Sequence, residues 1–237
     1  MHDTAMRLGE LFFRHYLRGE APEVLDLGAM DINGSLRSVA PPGLRYCGAD
    51  MEAGPGVDVV LDGSGRLPFE DGRFDAVVCT SVFEHAPAFW ETFLEMLRVT
   101  RPGGYLYVNA PSNGETHRFP LDCWRFYADA SVALESWGRA RGFDIRAMES
   151  FIAPRMTDQW EDCVMVFGRE APPPGSFIHD DLPDAMQLRR LGELAASVGP
   201  PPHLTRDQIL LRQARERIAA LEAELAALRP GDAPSSS

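Results

Sequence analysis

Short apolar runs alternate with helical patterns along most of this chain, and that alternation restricts its fold more than any other feature. The runs are Val24–Leu27, Leu44–Gly48, Val57–Leu61, Phe74–Cys79, Tyr105–Ala110 and Cys163–Phe167. Helical patterns lie between several of them, notably Phe89–Arg98 and Ser131–Arg141. Runs that are apolar throughout, rather than at every second residue, suit strands covered on both faces. The chain is therefore expected to form an α/β, doubly wound, mostly parallel sheet over residues 1–170. An amphipathic helix precedes the first strand, with Met6, Leu8, Leu11, Phe12, Phe13, Tyr16 and Leu17 apolar, and Gly19 and Pro22 stop it.

Beyond residue 170 the pattern changes. Three consecutive prolines in "APPPGSFIHDDLP" remove backbone donors and fix φ, so 171–204 reads as a Pro-rich linker, with a short helix over Asp184–Ser197. Thr205 followed by Gln208 is a capping-box signature opening a helix that runs to Arg229, before Pro230-Gly231. Leu211, Ile218 and Leu225 fall at a, and Ala214, Leu221 and Leu228 at d, of a heptad seam. In a parallel pair Arg217 meets Glu222 and Glu224 meets Arg229, opposite charges each time. Residues 205–229 thus suit a coiled-coil homodimer, and equally a helix laid back on its own domain. Residues 230–237 are expected to be a disordered tail.

Charge narrows the partners. Lys+Arg of 23 against Asp+Glu of 35 gives 23 − 35 = −12, which opposes partners recognised through a phosphate backbone, so no nucleic acid is expected. Cys47, Cys79, Cys123 and Cys163 form no CxxC pair and no zinc spacing, as expected of thiols in a reducing compartment. The first twenty residues mix charge into every turn, unlike a signal peptide, and no apolar run reaches the ~18 residues of a membrane helix. A cytoplasmic protein without membrane insertion is the expectation.

The carboxyl ends of the predicted strands carry the chemistry, because open α/β sheets bind ligands along that edge. The first strand ends in Asp26-Leu27-Gly28 and is expected to lead into a helix. A dinucleotide fingerprint would place glycines at 28, 30 and 33, and Met30 and Asn33 break it. The second strand ends in "YCGAD" at Asp50, where a carboxylate can hold ribose hydroxyls. Asp62 ends the third, the fourth runs out to Ser81, and a Pro102-Gly103-Gly104 turn precedes the fifth. With "LPF", "FDAV" and Glu84-His85, this series resembles class I S-adenosylmethionine-dependent methyltransferases of the type 11-like kind, from about residue 5 to 169. The first loop, D-x-G-x-x-x-x-N-G through Asn33-Gly34, is similar to that of a subgroup found with glycan and polysaccharide biosynthesis.

The resemblance implies a Rossmann-like, seven-stranded sheet and S-adenosyl-L-methionine as cofactor. It places Asp26 and Gly28 at the methionine end, Asp50 and Met51 at the ribose, Asp62 and Gly63 at the adenine, and Ser81 at the end of the fourth strand. Asn33-Gly34 would take the positive φ of the missing glycines, and Met30 would pack near the cofactor. Asp26 and Asp62 have a lesser alternative reading as acids capping turns.

Transfer to a hydroxyl needs a group to take the acceptor's proton, and histidine titrates near neutrality. His85 in "VFEHAP" and His117 in "ETHRFPLDCWRFY" are the candidates, the other histidines reading as incidental. The second stretch also gathers Arg118, Asp122, Trp124 and Arg125 where this fold builds an acceptor pocket. Arginine forks beside aromatics suit an anionic, ring-bearing acceptor such as a nucleotide sugar or phosphorylated glycan. Trp124 and Phe126 fit equally as core anchors, and Arg125 as an ion-pair partner of Asp122 or Asp129. No metal is expected, since no ligand spacing requires one; Asp122 and nearby acids are the only oxygen set in view. The leading reading is O-methylation of a sugar, nucleotide sugar, glycan or other small polar acceptor. The alternative is a non-catalytic scaffold recruiting a biosynthetic partner through its C-terminal helix.

Overall fold

The computed structural model describes residues 3–156, 160–191 and 204–228. In chain order the elements are α1 (Asp3–Tyr16), β1 (Glu23–Leu27), a 3-10 turn (Leu36–Val39), β2 (Arg45–Asp50), β3 (Val59–Val60), β4 (Phe74–Thr80), α2 (Phe89–Val99), β5 (Thr100–Pro111), α3 (Ala130–Ala140), β6 (Ile145–Ile152), β7 (Asp162–Arg169), a second 3-10 turn (Ile178–Asp181), β8 (Met186–Arg190) and α4 (Arg206–Leu228). The strands form one sheet in the order β3-β2-β1-β4-β5-β7-β6-β8. Pairing is parallel from β3 through β5 and antiparallel at β5–β7, β7–β6 and β6–β8, so only β7 and β8 run against the rest. The Rossmann-like α/β expectation holds, with eight strands in place of seven.

Each face of the sheet has its own core, as strand alternation demands. Val77 and Cys79 of β4, with Leu106 and Val108 of β5, pack with Phe93, Met96 and Leu97 of α2 and Leu134 of α3. Ala76, Val78, Tyr105 and Tyr107 of the same strands pack with Leu8, Leu11, Phe12 and Tyr16 of α1. Burial on both faces explains why β4 and β5 read as unbroken apolar runs. Among the cysteines, all free, Cys79 and Cys163 are buried, Cys47 is half-buried and Cys123 is exposed.

Three expectations need correction. Met186–Arg190 is strand β8 and not part of a helix over Asp184–Ser197, and residues 192–197 of that expectation lie outside the described residues. Glu149↔Arg190 and Ser150↔Arg189 pairing satisfies the backbone of the last core strand, an edge that the sequence pattern does not reveal. The sheet unit consequently extends past 170. The Pro-rich segment is also docked on it. Pro172 O accepts the Tyr105 hydroxyl at 2.7 Å, and the fully buried Glu149 of β6 accepts from Tyr16 Oη (2.6 Å), Ile178 N (2.8 Å), and His179 N (3.1 Å) and Nδ1 (2.6 Å). His179 is therefore structural, and so is His15, whose Nδ1 lies 2.6 Å from Ser176 Oγ.

Residues 204–228 belong to a second unit. Its helix α4 opens with the expected capping box: Thr205 N donates to Gln208 Oε1 at 2.9 Å, and Gln208 N to Thr205 Oγ1 at 3.3 Å. Leu211, Ile218, Leu221 and Leu225 are exposed along it. The 230–237 tail lies outside the described residues. No helix among them is long and apolar enough to cross a membrane.

Candidate active site

The first half of the site lies at the carboxyl ends of β1, β2 and β3. Gly28 takes φ +85°, and a Cβ there would stand 2.2 Å from Val82 Cγ2, so both backbone angle and space demand glycine. The N–H groups of Gly28 and Ala29 donate to Ala49 O at 2.9 and 3.2 Å. Asp50 clasps the loop: its Oδ2 accepts Met30 N at 2.9 Å and its Oδ1 accepts Met51 N at 2.7 Å. Asp26, buried at the end of β1, accepts the Tyr46 hydroxyl at 2.6 Å on Oδ2, while its Oδ1 is enclosed with no hydrogen-bond partner. Burial pushes the Asp26 carboxyl up to about 6, against the lowering effects of the Tyr46 bond and the Arg37 charge. Arg37 is itself ion-paired with Asp58 and lies 4.8 Å over the Tyr46 ring.

Asp62 is exposed, and its Oδ1 accepts Ser64 N at 2.9 Å, an Asx turn whose hydrogen bonds hold the carboxyl below its usual range. Gly63 follows at φ +74°, where a Cβ would stand 3.3 Å from the methyl of the exposed Met51. Ser81 sits at φ +56° and donates its N–H to Asn109 O at 2.9 Å. One first-loop expectation is revised: Gly34 takes a positive φ, +122°, whereas Asn33 does not. Met30 packs against Gly54. No α-helix follows β1 either. A 3-10 turn capped by Ser35 stands there, because Pro41 and Pro42 block continuation of the helix.

The second half is built where the loop after β5 crosses the loop after β4. Glu84 O accepts Cys123 N at 2.6 Å and Trp124 N at 3.3 Å. The Trp124 indole donates to Ala86 O at 3.1 Å, and His85 Nδ1 lies 2.5 Å from Leu121 O. These bonds bring the His85 and His117 rings to 4.8 Å, edge to face. Trp160 also packs on His117, ring centroids 4.8 Å apart, and occupies the space beside Gly114 that a Cβ would need. Burial, then the neighbouring His85, lowers the His117 pKa, which favours the neutral ring. The Glu84 side chain is buried, its Oε2 has no hydrogen-bond partner, and burial pushes its carboxyl up to about 8.

Asp122 and Arg125 fix this loop and are not free to meet an acceptor, which corrects their expected binding role. Arg125 Nη1 and Nη2 hold Asp122 Oδ1 and Oδ2 at 2.5 and 2.8 Å, and they also donate to Trp124 O and Glu115 O at 2.8 and 2.9 Å. All four terminal N–H groups of the guanidinium are thereby used. Asp122 also accepts His117 N at 2.8 Å, and the pair with Arg125 holds its carboxyl well below the usual range. Arg118 is exposed and forms no ion pair with the described residues. Trp124, with Phe89, Trp90, Phe126, Leu134 and Trp137, lines a cleft of about 420 Å³ beside the loop.

Glu84 is the group that reading by strand ends missed as a site residue. Its only signal was adjacency to His85 in the "EH" pair. Glu84, His85 and His117 present ligand-type atoms all within 4.8 Å of one another, a set the expectation of no metal did not anticipate.

Comparison with known proteins adds independent findings. Residues 26–108 match the family described as "Methyltransferase domain". The chain is 42% identical over 71 residues to an uncharacterized methyltransferase of Mycobacterium sp. (strain KMS), covering 26% of this chain and 28% of that protein. It is 34% identical over 128 residues to the demethylmenaquinone methyltransferase of Mycolicibacterium gilvum, covering 47% and 56%. The match thus spans less than two thirds of these relatives' lengths. Among solved structures, the 1,6-didemethyltoxoflavin-N1-methyltransferase of Burkholderia thailandensis, with S-adenosylhomocysteine bound, aligns at TM-score 0.55 and 20% identity over 71% of this chain and 79% of that one. The [4+2]-cyclase SpnF aligns at 0.53 and 16%, over 71% and 82%. Likeness at this level concerns the fold alone. Residues 26–108 thus match a methyltransferase-domain family, and the chain's topology is a Rossmann-like α/β fold similar to that of methyltransferases of known structure.

Proposed function

We propose that this chain is an S-adenosylmethionine-dependent methyltransferase acting on a hydroxyl of a small, polar, ring-bearing acceptor, with a sugar, nucleotide sugar or glycan as the class its loop chemistry favours. The observation that carries the cofactor reading is the enclosed Asp26 Oδ1, left without a donor beside a loop position where only Gly28 fits. An oxygen so buried calls for a hydrogen-bond donor, and a cationic ammonium such as that of a methionine moiety suits it. Asp50 retains acceptor capacity on both oxygens for ribose hydroxyls. Asp62, Gly63 and Met51 offer a polar turn and an apolar side chain for a purine. When bound, the cofactor supplies an electrophilic methyl group.

On the acceptor side, the Trp124 cleft gives aromatic faces for a ring, and Arg118 is the exposed cation for an anionic substituent. The neutral ring of His117, or else His85, accepts the proton of the hydroxyl as the oxygen attacks. Asp122, held by Arg125, fixes the backbone from which His117 projects. A relative named as a demethylmenaquinone methyltransferase supports a ring-bearing, non-macromolecular acceptor. The seam of α4 would join two copies through residues 205–229.

The test is calorimetric titration of the full chain with S-adenosylhomocysteine. Binding in the micromolar range, roughly −8 kcal/mol, is expected, together with a strong loss in Asp50→Ala. Absence of binding removes the reading. Incubation with labelled cofactor and nucleotide sugars, followed by mass spectrometry, identifies the acceptor class. Binding without turnover, alongside a stable partner complex made through 205–229, would favour the scaffold alternative.

A further inference from the structure

We infer that Glu84, His85 and His117 form a binding site for one divalent transition-metal ion of the Zn²⁺ or Co²⁺ type. The three come from two loops and present one carboxylate oxygen and two imidazole nitrogens within 4.8 Å of one another. Two imidazoles and one carboxylate are a donor set for borderline ions rather than for Mg²⁺ or Ca²⁺, which prefer all-oxygen shells.

Two further observations point to a ligand. Glu84 is 1% exposed, yet its Oε2 has no hydrogen-bond partner, and its Oε1 stands 3.8 Å from His85 Nε2. A carboxylate oxygen enclosed without a donor is costly unless something cationic or protic meets it. His85 Nδ1 lies 2.5 Å from Leu121 O, which can only accept, so Nδ1 carries the hydrogen and the Nε2 lone pair is left for a metal. A backbone carbonyl fixing the far nitrogen is the usual support of a metal-bound imidazole. His117 Nδ1 is likewise buried with no hydrogen-bond partner, and Asp122 Oδ2 stands 3.6 Å from it.

Ligand atoms around a tetrahedral Zn²⁺ lie roughly 3.3 Å apart when metal–nitrogen bonds are ~2.0–2.1 Å. The observed spread of up to 4.8 Å therefore requires side-chain movements of about 1 Å on binding. Three protein ligands leave a coordination position open. An oxygen of the acceptor would take it, and ligation would make a hydroxyl acidic enough to release its proton to solvent water; this consequence rests on the methyltransferase reading, and it gives the two rings a ligand role in place of direct proton acceptance. The metal site itself stands without it.

The test uses the untagged full chain, stripped with a chelator and titrated with Co²⁺ followed by visible absorption, then with Zn²⁺ in competition. One Co²⁺ per chain, with ligand-field bands that Zn²⁺ abolishes, is expected. Glu84→Gln and His117→Asn should each weaken binding at least about tenfold, the lower bound for loss of even a supporting partner. Thermal melting and S-adenosylhomocysteine titration of the same variants report whether they fold. No Co²⁺ bands in the parent chain, or unchanged affinity in both folded variants, overturns the site. Co²⁺ binding without S-adenosylhomocysteine binding would leave the site standing and remove the methyltransferase reading.

Discussion

At the β1–β3 edge, each group that faces the cofactor cleft is set by its own strand or by the next turn. At the β4–β5 edge, the groups come from two loops held across each other by Glu84 O, Ala86 O and Leu121 O. In the first half, Asp50 ties Met30 and Met51 into one shelf through their backbone N–H groups. The second half depends on those cross-loop bonds and on the internal shape of the loop carrying His117, which the Asp122–Arg125 pair holds. Under the proposed function, the difference predicts that cofactor affinity and acceptor chemistry are separable by mutation.

The largest effect that would sharpen this contrast is at Gly28. Gly28→Val puts a branched side chain where one Cβ already lies 2.2 Å from Val82. S-adenosylhomocysteine affinity should fall more than about a hundredfold, roughly 2.7 kcal/mol by calorimetry. Retention of near-parental affinity would mean the cleft is elsewhere.

Asp26 comes next, through pH. Its folded pKa of about 6 exceeds the ordinary value of 3.8, so the folded state binds the proton more tightly. The stability it contributes is therefore full below about pH 4 and is lost as pH rises through 6, by up to about 3 kcal/mol. Asp26→Asn should flatten that fall in urea unfolding measured between pH 4 and 7, while S-adenosylhomocysteine binding drops. A variant with the same pH slope as the parent would show that another group titrates.

A smaller effect is expected from Asp122→Ala. It leaves Arg125 without its carboxylate, for about 2 kcal/mol of stability. It should also lower kcat/KM for the acceptor at least tenfold, with S-adenosylhomocysteine affinity changed less than about threefold. Equal losses on both ligands would dissolve the two-part picture. The smallest effect should come from Tyr46→Phe. Removing the bond to Asp26 costs about 1 kcal/mol and raises the carboxyl's midpoint further, readable by NMR titration.

The same contrast explains what could be read beforehand. Asp26, Asp50 and Asp62 stand at the tips of adjacent strands, so their nearness follows from strand order alone once the parallel pattern is recognised. Gly28 was legible because a tight turn after β1 needs it. The grouping of Glu84 with His117 was not, since it depends on backbone bonds between residues about 40 positions apart. Arg125 misled for a related reason: composition cannot tell a free guanidinium from one whose four terminal hydrogens are already taken. Strand β8 escaped because its half-buried residues, Met186 to Arg190, carry neither strict alternation nor an apolar run.

Glu149 carries a practical lesson for anyone trimming this protein. Four donors meet its carboxylate, and three of them, the Ile178 N–H and both nitrogens offered by His179, come from beyond the last core strand. A fragment truncated at residue 170, where the prolines invite the cut, would uncover this acid and leave it Tyr16 as its one remaining donor among those four. Such a fragment should precipitate or melt early, and recombinant production ought to keep the chain through residue 191.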